Sequence, residues 1–192
     1  MGNLILKRFL HNPGRIGAVT PSGSALCRMM VAGLHLDEAA AVAELGPGTG
    51  VITREIVRNC GAATRFFAVE LDPVIYAAFR RNMPEVAVYN DNAARLDAIC
   101  RENGIPELDA VISGLPWASF PGALQESILG AVLRALKPGG KFTTFAYLQG
   151  LPLPAGRRFR KLLERCFAEV TLSPVVWNNL PPAVVYRCGK QR

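Results

Sequence analysis

The 192-residue sequence predicts an α/β fold, a doubly wound and mostly parallel sheet with a final antiparallel strand. Three observations carry that expectation. From Ala41 onward, short apolar strands alternate with helical stretches, the pattern of right-handed crossovers that put helices on both faces of a sheet. A glycine-rich segment, Glu44-Leu45-Gly46-Pro47-Gly48-Thr49-Gly50, stands between the first strand and the first helix of that series. The last two apolar runs are joined by Asn178-Asn179-Leu180-Pro181-Pro182 with no helical stretch between them, which reads as a closing strand pair.

The elements follow in order. Ala41 to Leu45 is the first strand, and Val51 to Asn59 is a helix with Val51, Ile52, Ile56 and Val57 at helical spacing, stopped by Gly61. Arg65 to Glu70 is the second strand, Pro73 to Asn82 a helix capped by Asp72, and Val86 to Tyr89 the third strand. A weakly patterned stretch through Leu96 and Ile99 leads to strand four, Leu108 to Ile112, and to an amphipathic helix from Leu124 to Leu136. Lys137-Pro138-Gly139-Gly140 is expected to end that helix sharply, with strand five from Lys141 to Leu148. Arg157 to Phe167 reads as a helix with an apolar stripe and a basic face, and Glu169 to Val176 and Ala183 to Cys188 as the closing strands. Residues 1–40 are set apart from 41–192 as an N-terminal amphipathic segment and helix, either membrane-contacting or a lid.

Composition excludes several classes of protein. Half of the residues are hydrophobic, yet no apolar run reaches the roughly 20 residues of a spanning helix. Lys7 and Arg8 follow Leu4-Ile5-Leu6 directly, the reverse of a secretory signal, so a cytoplasmic location is expected. Five scattered cysteines with no C-x-x-C pair read as reduced, mostly buried small residues and not as a metal site. A formal charge of +7 favours an anionic partner, and on charge alone nucleic acid and an anionic membrane surface are equally eligible.

A strand, a glycine turn and a helix in that order bring backbone N–H groups and a positive helix end beside a ligand. The candidate cradle is Glu44, Gly46, Gly48, Thr49 and Gly50; Val51 stands where a dinucleotide fold carries its third glycine, a departure that favours S-adenosylmethionine over NAD. Glu70, twenty residues after Gly50, closes the second strand where a carboxylate accepts from both ribose hydroxyls, with Leu71 beside it. Asp91 and Asn92 follow strand three at the same sheet edge and either read the adenine amine or make a turn. Gly114 and Leu115 lie in Ser113-Gly114-Leu115-Pro116-Trp117, the turn after strand four that faces the expected methyl group.

Together these segments and the Lys137 to Gly140 turn resemble the class I S-adenosylmethionine-dependent methyltransferases, Rossmann-like enzymes, over most of the chain. Three further stretches resemble the bacterial phospholipid N-methyltransferases: Gly17-Ala18-Val19-Thr20-Pro21-Ser22, Val111-Ile112-Ser113-Gly114-Leu115-Pro116, and Trp177-Asn178-Asn179-Leu180-Pro181-Pro182-Ala183. The resemblance implies methylation of phosphatidylethanolamine and its mono- and dimethylated forms to phosphatidylcholine, with S-adenosylhomocysteine as the other product. It also implies peripheral association with the cytoplasmic face of the membrane and no nucleic-acid partner. The S-G-L-P turn is also similar to that of rRNA adenine dimethyltransferases, which leaves RNA adenine N6-methylation as the alternative. Those enzymes carry Asn and Tyr where Ser113 and Trp117 stand, a departure that weakens the RNA reading.

On the acceptor side, an amine needs a free lone pair to displace a methyl group, and an alkylammonium like that of Lys has a pKa of about 10. A dry pocket beside a sulfonium disfavours the ammonium. Tyr147, at the end of strand five, is the candidate for positioning the amine or accepting its proton. Trp117, Phe120 and Tyr147 can offer aromatic faces to the methylated cation. Arg15 and the helix start at Ser22 are the candidates for the lipid phosphate, and Asn178 and Asn179 either bond the head group or cap their turn.

Overall fold

Seven strands form one sheet in the computed structural model, which describes residues 23–192. In chain order they are β1 (Ala41–Leu45), β2 (Arg65–Val69), β3 (Ala87–Tyr89), β4 (Leu108–Ser113), β5 (Leu136–Tyr147), β6 (Glu169–Leu172) and β7 (Ala183–Gly189). Their order across the sheet is β3-β2-β1-β4-β5-β7-β6. The pairs from β3 through β5 are parallel, and β7 runs antiparallel to both β5 and β6. This is the Rossmann-like doubly wound sheet with its antiparallel closing pair. The order reverses between β1 and β4, and Leu45 at the end of β1 is level with Val69 of β2 and Ser113 of β4. A crevice at that carboxyl edge is the consequence.

Helices cover both faces, each by an apolar stripe. On one face, α4 (Leu96–Glu102), α5 (Gly122–Ala135) and α6 (Pro154–Cys166) bury Leu96, Ile99, Ile128, Leu129, Val132 and Leu163 against Ala43, Leu45, Val111 and Phe142. On the other, α1 (Ser24–Val31) and α2 (Val51–Asn59) bury Leu26, Met30, Ile52 and Ile56 against Val42, Ala110, Ile112 and Val185. Neighbouring strand positions thus supply opposite cores, as the period of two requires. The last helix, α3 (Pro73–Asn82), packs Phe79 on Ala68. Asp72 caps it as expected, accepting from the Val74 and Ile75 amides at 2.8 and 3.1 Å with Pro73 at the first turn.

Three expectations are corrected. The weakly patterned stretch is a 3-10 turn, Ala93–Arg95, followed by α4, whose seven residues are too few to display a clear periodicity. The Lys137 to Gly140 turn does not precede the strand: β5 begins at Leu136 opposite Leu108, loops outward, and resumes with Lys141 opposite Ala110. β6 ends at Leu172, and Val176 is held only by an isolated bridge to Ala183. Within the described residues, α1 packs on the sheet, with Leu26 and Met30 fully buried and the Met30 carbonyl accepting from Thr143 Oγ1 at 3.0 Å. Arg15, Ser22 and the amphipathic N-terminal face lie outside those residues. Among the described residues, no helix is long and apolar enough to cross a membrane.

Candidate active site

A cleft of about 150 Å³ opens at the carboxyl ends of β1, β2 and β4. Its lining joins the three segments that the sequence places around a cofactor: Gly46 and Gly48 after β1, Glu70 and Leu71 after β2, and Gly114 and Leu115 after β4. Asp91 after β3 completes them. Gly48 adopts φ +55°, and a Cβ built there would meet no atom within 4 Å, so its backbone borders open space that a ligand can enter. A Cβ on Gly114 would lie 2.8 Å from the Gly46 carbonyl oxygen, which shows how tightly the loops after β1 and β4 cross at the switch point.

Glu70 is almost fully buried at the end of β2, with Oε1 accepting from the Asp72 amide at 3.0 Å. Burial pushes its carboxyl upward, partly offset by amides of Asp72, Gly48 and Leu71. Asp91 borders the cleft while Oδ2 is held by Arg95 at 3.0 Å and Oδ1 accepts from the Asn92 amide at 2.6 Å. Asn92 itself caps the 3-10 turn, accepting from the Ala94 amide at 2.9 Å, so its side-chain oxygen serves the backbone.

Glu44 lies beneath the loop on the opposite side of the sheet, fully buried, with Oε2 accepting from Thr53 Oγ1 at 2.6 Å. Oε1 has no hydrogen-bond partner among the described residues, and desolvation raises the carboxyl to about 8. A buried carboxyl oxygen without a partner under a glycine loop suits a ligand that brings a polar group of its own. Two predicted cradle residues stand apart from the cleft: Thr49 is exposed, and Gly50, at φ +78°, packs where a Cβ would collide with Met83 Sδ at 2.6 Å. Pro116, within the Ser113 to Trp117 turn, lines the cleft as well. Val69, Ala93 and Ile128 also line it and were not singled out from the sequence; of these three Ala93 alone had a signal, the Asn92 cap just before it. Ile128 comes from α5, and no local pattern tells which turn of a helix reaches a sheet edge.

The aromatic side differs from expectation. Trp117 is 2% exposed, its indole N–H donates to Ser113 Oγ at 3.0 Å, and its ring stacks on Phe159 at 5.1 Å. Phe120 is also buried, 6.1 Å from Trp117 between ring centroids. Both belong to the α5 and α6 face, whereas half-buried Tyr147 packs toward the α1 and α2 face beside Phe145. The three rings form no cage. Trp117 is a core residue because its N–H is satisfied internally and its faces are covered. Burial raises the Tyr147 phenol, so at neutral pH it stays protonated and is no ready proton acceptor. Asn179 is buried and bridges two segments: Oδ1 accepts from the Gly23 amide at 2.9 Å, and Nδ2 donates to the Pro181 carbonyl at 2.7 Å. Asn178 is exposed beside it.

Fold and cleft together define a class I methyltransferase. A family model described as a methyltransferase domain matches residues 42–140. An ornithine lipid N-methyltransferase from Singulisphaera acidiphila is 34% identical over 190 residues, covering 96% of this chain and 94% of that protein. Among solved structures, an O-methyltransferase from Bacillus cereus in complex with S-adenosylhomocysteine (SAH) superposes with a TM-score of 0.68 at 14% identity, covering 97% of this chain and 91% of that one. The glycopeptide N-methyltransferase MtfA, complexed with sinefungin, gives a TM-score of 0.70 at 14% identity over 88% and 94% of the two chains. These two likenesses show the fold. The chain belongs to the class I S-adenosylmethionine-dependent methyltransferases, and S-adenosylmethionine is its cofactor.

Proposed function

We propose that this protein methylates the primary amine of a membrane aminolipid, with ornithine lipid as the first acceptor and phosphatidylethanolamine as the second. The observation that carries this is the 34% identity, over 96% of the chain, to a protein named as an ornithine lipid N-methyltransferase. Phosphatidylethanolamine is kept because three stretches, among them Trp177 to Ala183, resemble phospholipid N-methyltransferases, and three rounds on that lipid give phosphatidylcholine. Both acceptors present a primary amine at the water boundary of a bilayer.

Bound S-adenosylmethionine supplies an electrophilic methyl group on a sulfonium. Glu70 accepts from the ribose hydroxyls and Asp91 borders the adenine side, while the Gly46 to Gly48 backbone approaches the ligand without side chains. Buried Glu44, raised by desolvation to about 8 and so neutral at pH 7, keeps one oxygen unpartnered for a hydrogen bond with the cofactor's polar end. Leu115 and Pro116 wall the acceptor side and exclude water, which favours the neutral amine over the ammonium. Tyr147, protonated, offers its phenol oxygen to accept from an amine N–H, which orients the nitrogen and leaves its lone pair free to attack. Arg15, Ser22 and Asn178 remain the candidates for the head group, whereas the bonds of Asn179 make it a brace.

The test offers radiolabelled S-adenosylmethionine with liposomes containing ornithine lipid, liposomes containing phosphatidylethanolamine, and unmodified rRNA. Label in a lipid amine is the expected result, greater in ornithine lipid. Label in RNA alone overturns the reading.

A further inference from the structure

Trp177 and Leu180 are the two largest apolar side chains of the loop before β7, and they are 69% and 74% exposed. Leaving an indole and an isobutyl group in water is unfavourable, so a rigid loop that displays both calls for an apolar environment that accepts them. The loop is not loosely held. Asn179 lies between the two residues, 4% exposed, and ties the loop to Gly23 at 2.9 Å and to Pro181 at 2.7 Å. The Val176 to Ala183 bridge closes its base.

Its position is tied to the cleft. Ala183 pairs with Tyr147 at the carboxyl end of β5, so the loop stands at the sheet edge that carries the cofactor cleft. The Leu148 amide donates to the Pro182 carbonyl at 2.8 Å, which sets the loop before α6 beside it. That second loop displays Leu153, 55% exposed, and leads directly into exposed Arg157 and Arg158 of α6. One edge therefore combines three displayed apolar side chains with two cations, the pairing that suits an anionic lipid surface: indole at the head-group level, leucines toward the acyl chains, guanidinium groups on phosphates.

We infer that the Trp177 to Leu180 loop, with Leu153, is a membrane-inserting tip that seats the cleft on the surface of an anionic bilayer. This rests on the reading of the acceptor as a lipid. It names how the protein reaches that acceptor.

The experiment uses the full chain and phosphatidylcholine–phosphatidylglycerol vesicles, which hold no acceptor amine, so binding is read apart from methyl transfer. Trp117 is sealed in the core, and the difference between the parent protein and Trp177→Phe isolates the emission of Trp177. Without vesicles this emission should be that of a hydrated indole; with vesicles it should shift to the blue and be quenched by brominated acyl chains. Replacing Trp177 and Leu180 together by Ala should weaken vesicle affinity about tenfold or more. S-adenosylmethionine affinity, and methylation of acceptor dispersed in detergent, should be unchanged in that variant. Emission that neither shifts nor is quenched overturns the inference, and so does emission already blue in the lipid-free protein, which would mean that residues 1–22 or a second copy cover the tip. Lipid methylation without Trp177 insertion removes the tip and leaves the proposed function. Insertion without methylation of any lipid does the reverse.

Discussion

Glu44 pairs with Thr53 through one oxygen only, and its carboxyl is raised by burial from 4.5 to about 8. Between those values the folded protein holds a proton that the unfolded chain has released. Stability of the cofactor-free protein should therefore fall as pH rises through that window and level off above it. Glu44→Gln, neutral throughout, should reduce the slope to what buried Glu70, also raised, contributes, and should exceed the parent in stability near the upper end; urea unfolding at about pH 5 and about pH 9 checks this. Trp117 gives a second expected outcome. Because its ring is sealed in the core and stacked on Phe159, Trp117→Ala should cost about 3–5 kcal/mol of stability. Calorimetry on that variant, beside a cofactor-affinity measurement on Glu70→Ala, separates the two roles: Glu70→Ala should lose cofactor affinity with a much smaller change in Tm. At this scale residue type was legible and orientation was not. Glu70 and Asp91 stand at strand ends, where a side chain has one edge to face. Trp117 sits in a short 3-10 turn, where a shift of one residue decides between cleft and core.

The first βαβ unit shows how far element spacing can be read. The bounds of β1, α2 and α3 coincide with those expected, because their apolar periods are complete and their ends are marked by Gly46 to Gly50, Gly61 and the Asp72-Pro73 pair. Asp72→Ala should remove the α3 cap and lower stability by about 1 kcal/mol, a Tm shift of about 2–4 °C in thermal melts. Gly114→Ala tests the switch point: its Cβ would press on the Gly46 carbonyl, so cofactor affinity by titration calorimetry should fall with about 1–3 kcal/mol of stability. The Lys137 to Gly140 excursion shows the limit of such reading. Pro-Gly-Gly marks a turn, but whether the turn precedes a strand or bulges from one depends on the Leu108 to Leu136 pairing across the sheet.

For the molecule as a whole, the formal charge of +7 and the apolar tip at the cleft edge bear on how an acceptor in a bilayer is reached. Methylation of acceptor in anionic vesicles should decline steeply as salt rises from about 0.05 to about 0.5 M, since the Debye length shrinks from roughly 14 to 4 Å. Cofactor affinity over the same range should hold, because the cleft is enclosed by neutral backbone and buried carboxyls; parallel rate and binding measurements check both. The sheet class, the turn at Gly46 to Gly48 and the carboxylates at the strand ends were legible in the sequence. Those depend on period and spacing within a few tens of residues, where backbone geometry leaves few alternatives. Long-range packing set which face of the sheet each aromatic joins, brought Ile128 to the cleft, and fastened Asn179 to Gly23, 156 residues away. Such contacts arise from how crossovers pack across the sheet, and no local pattern in the chain encodes them.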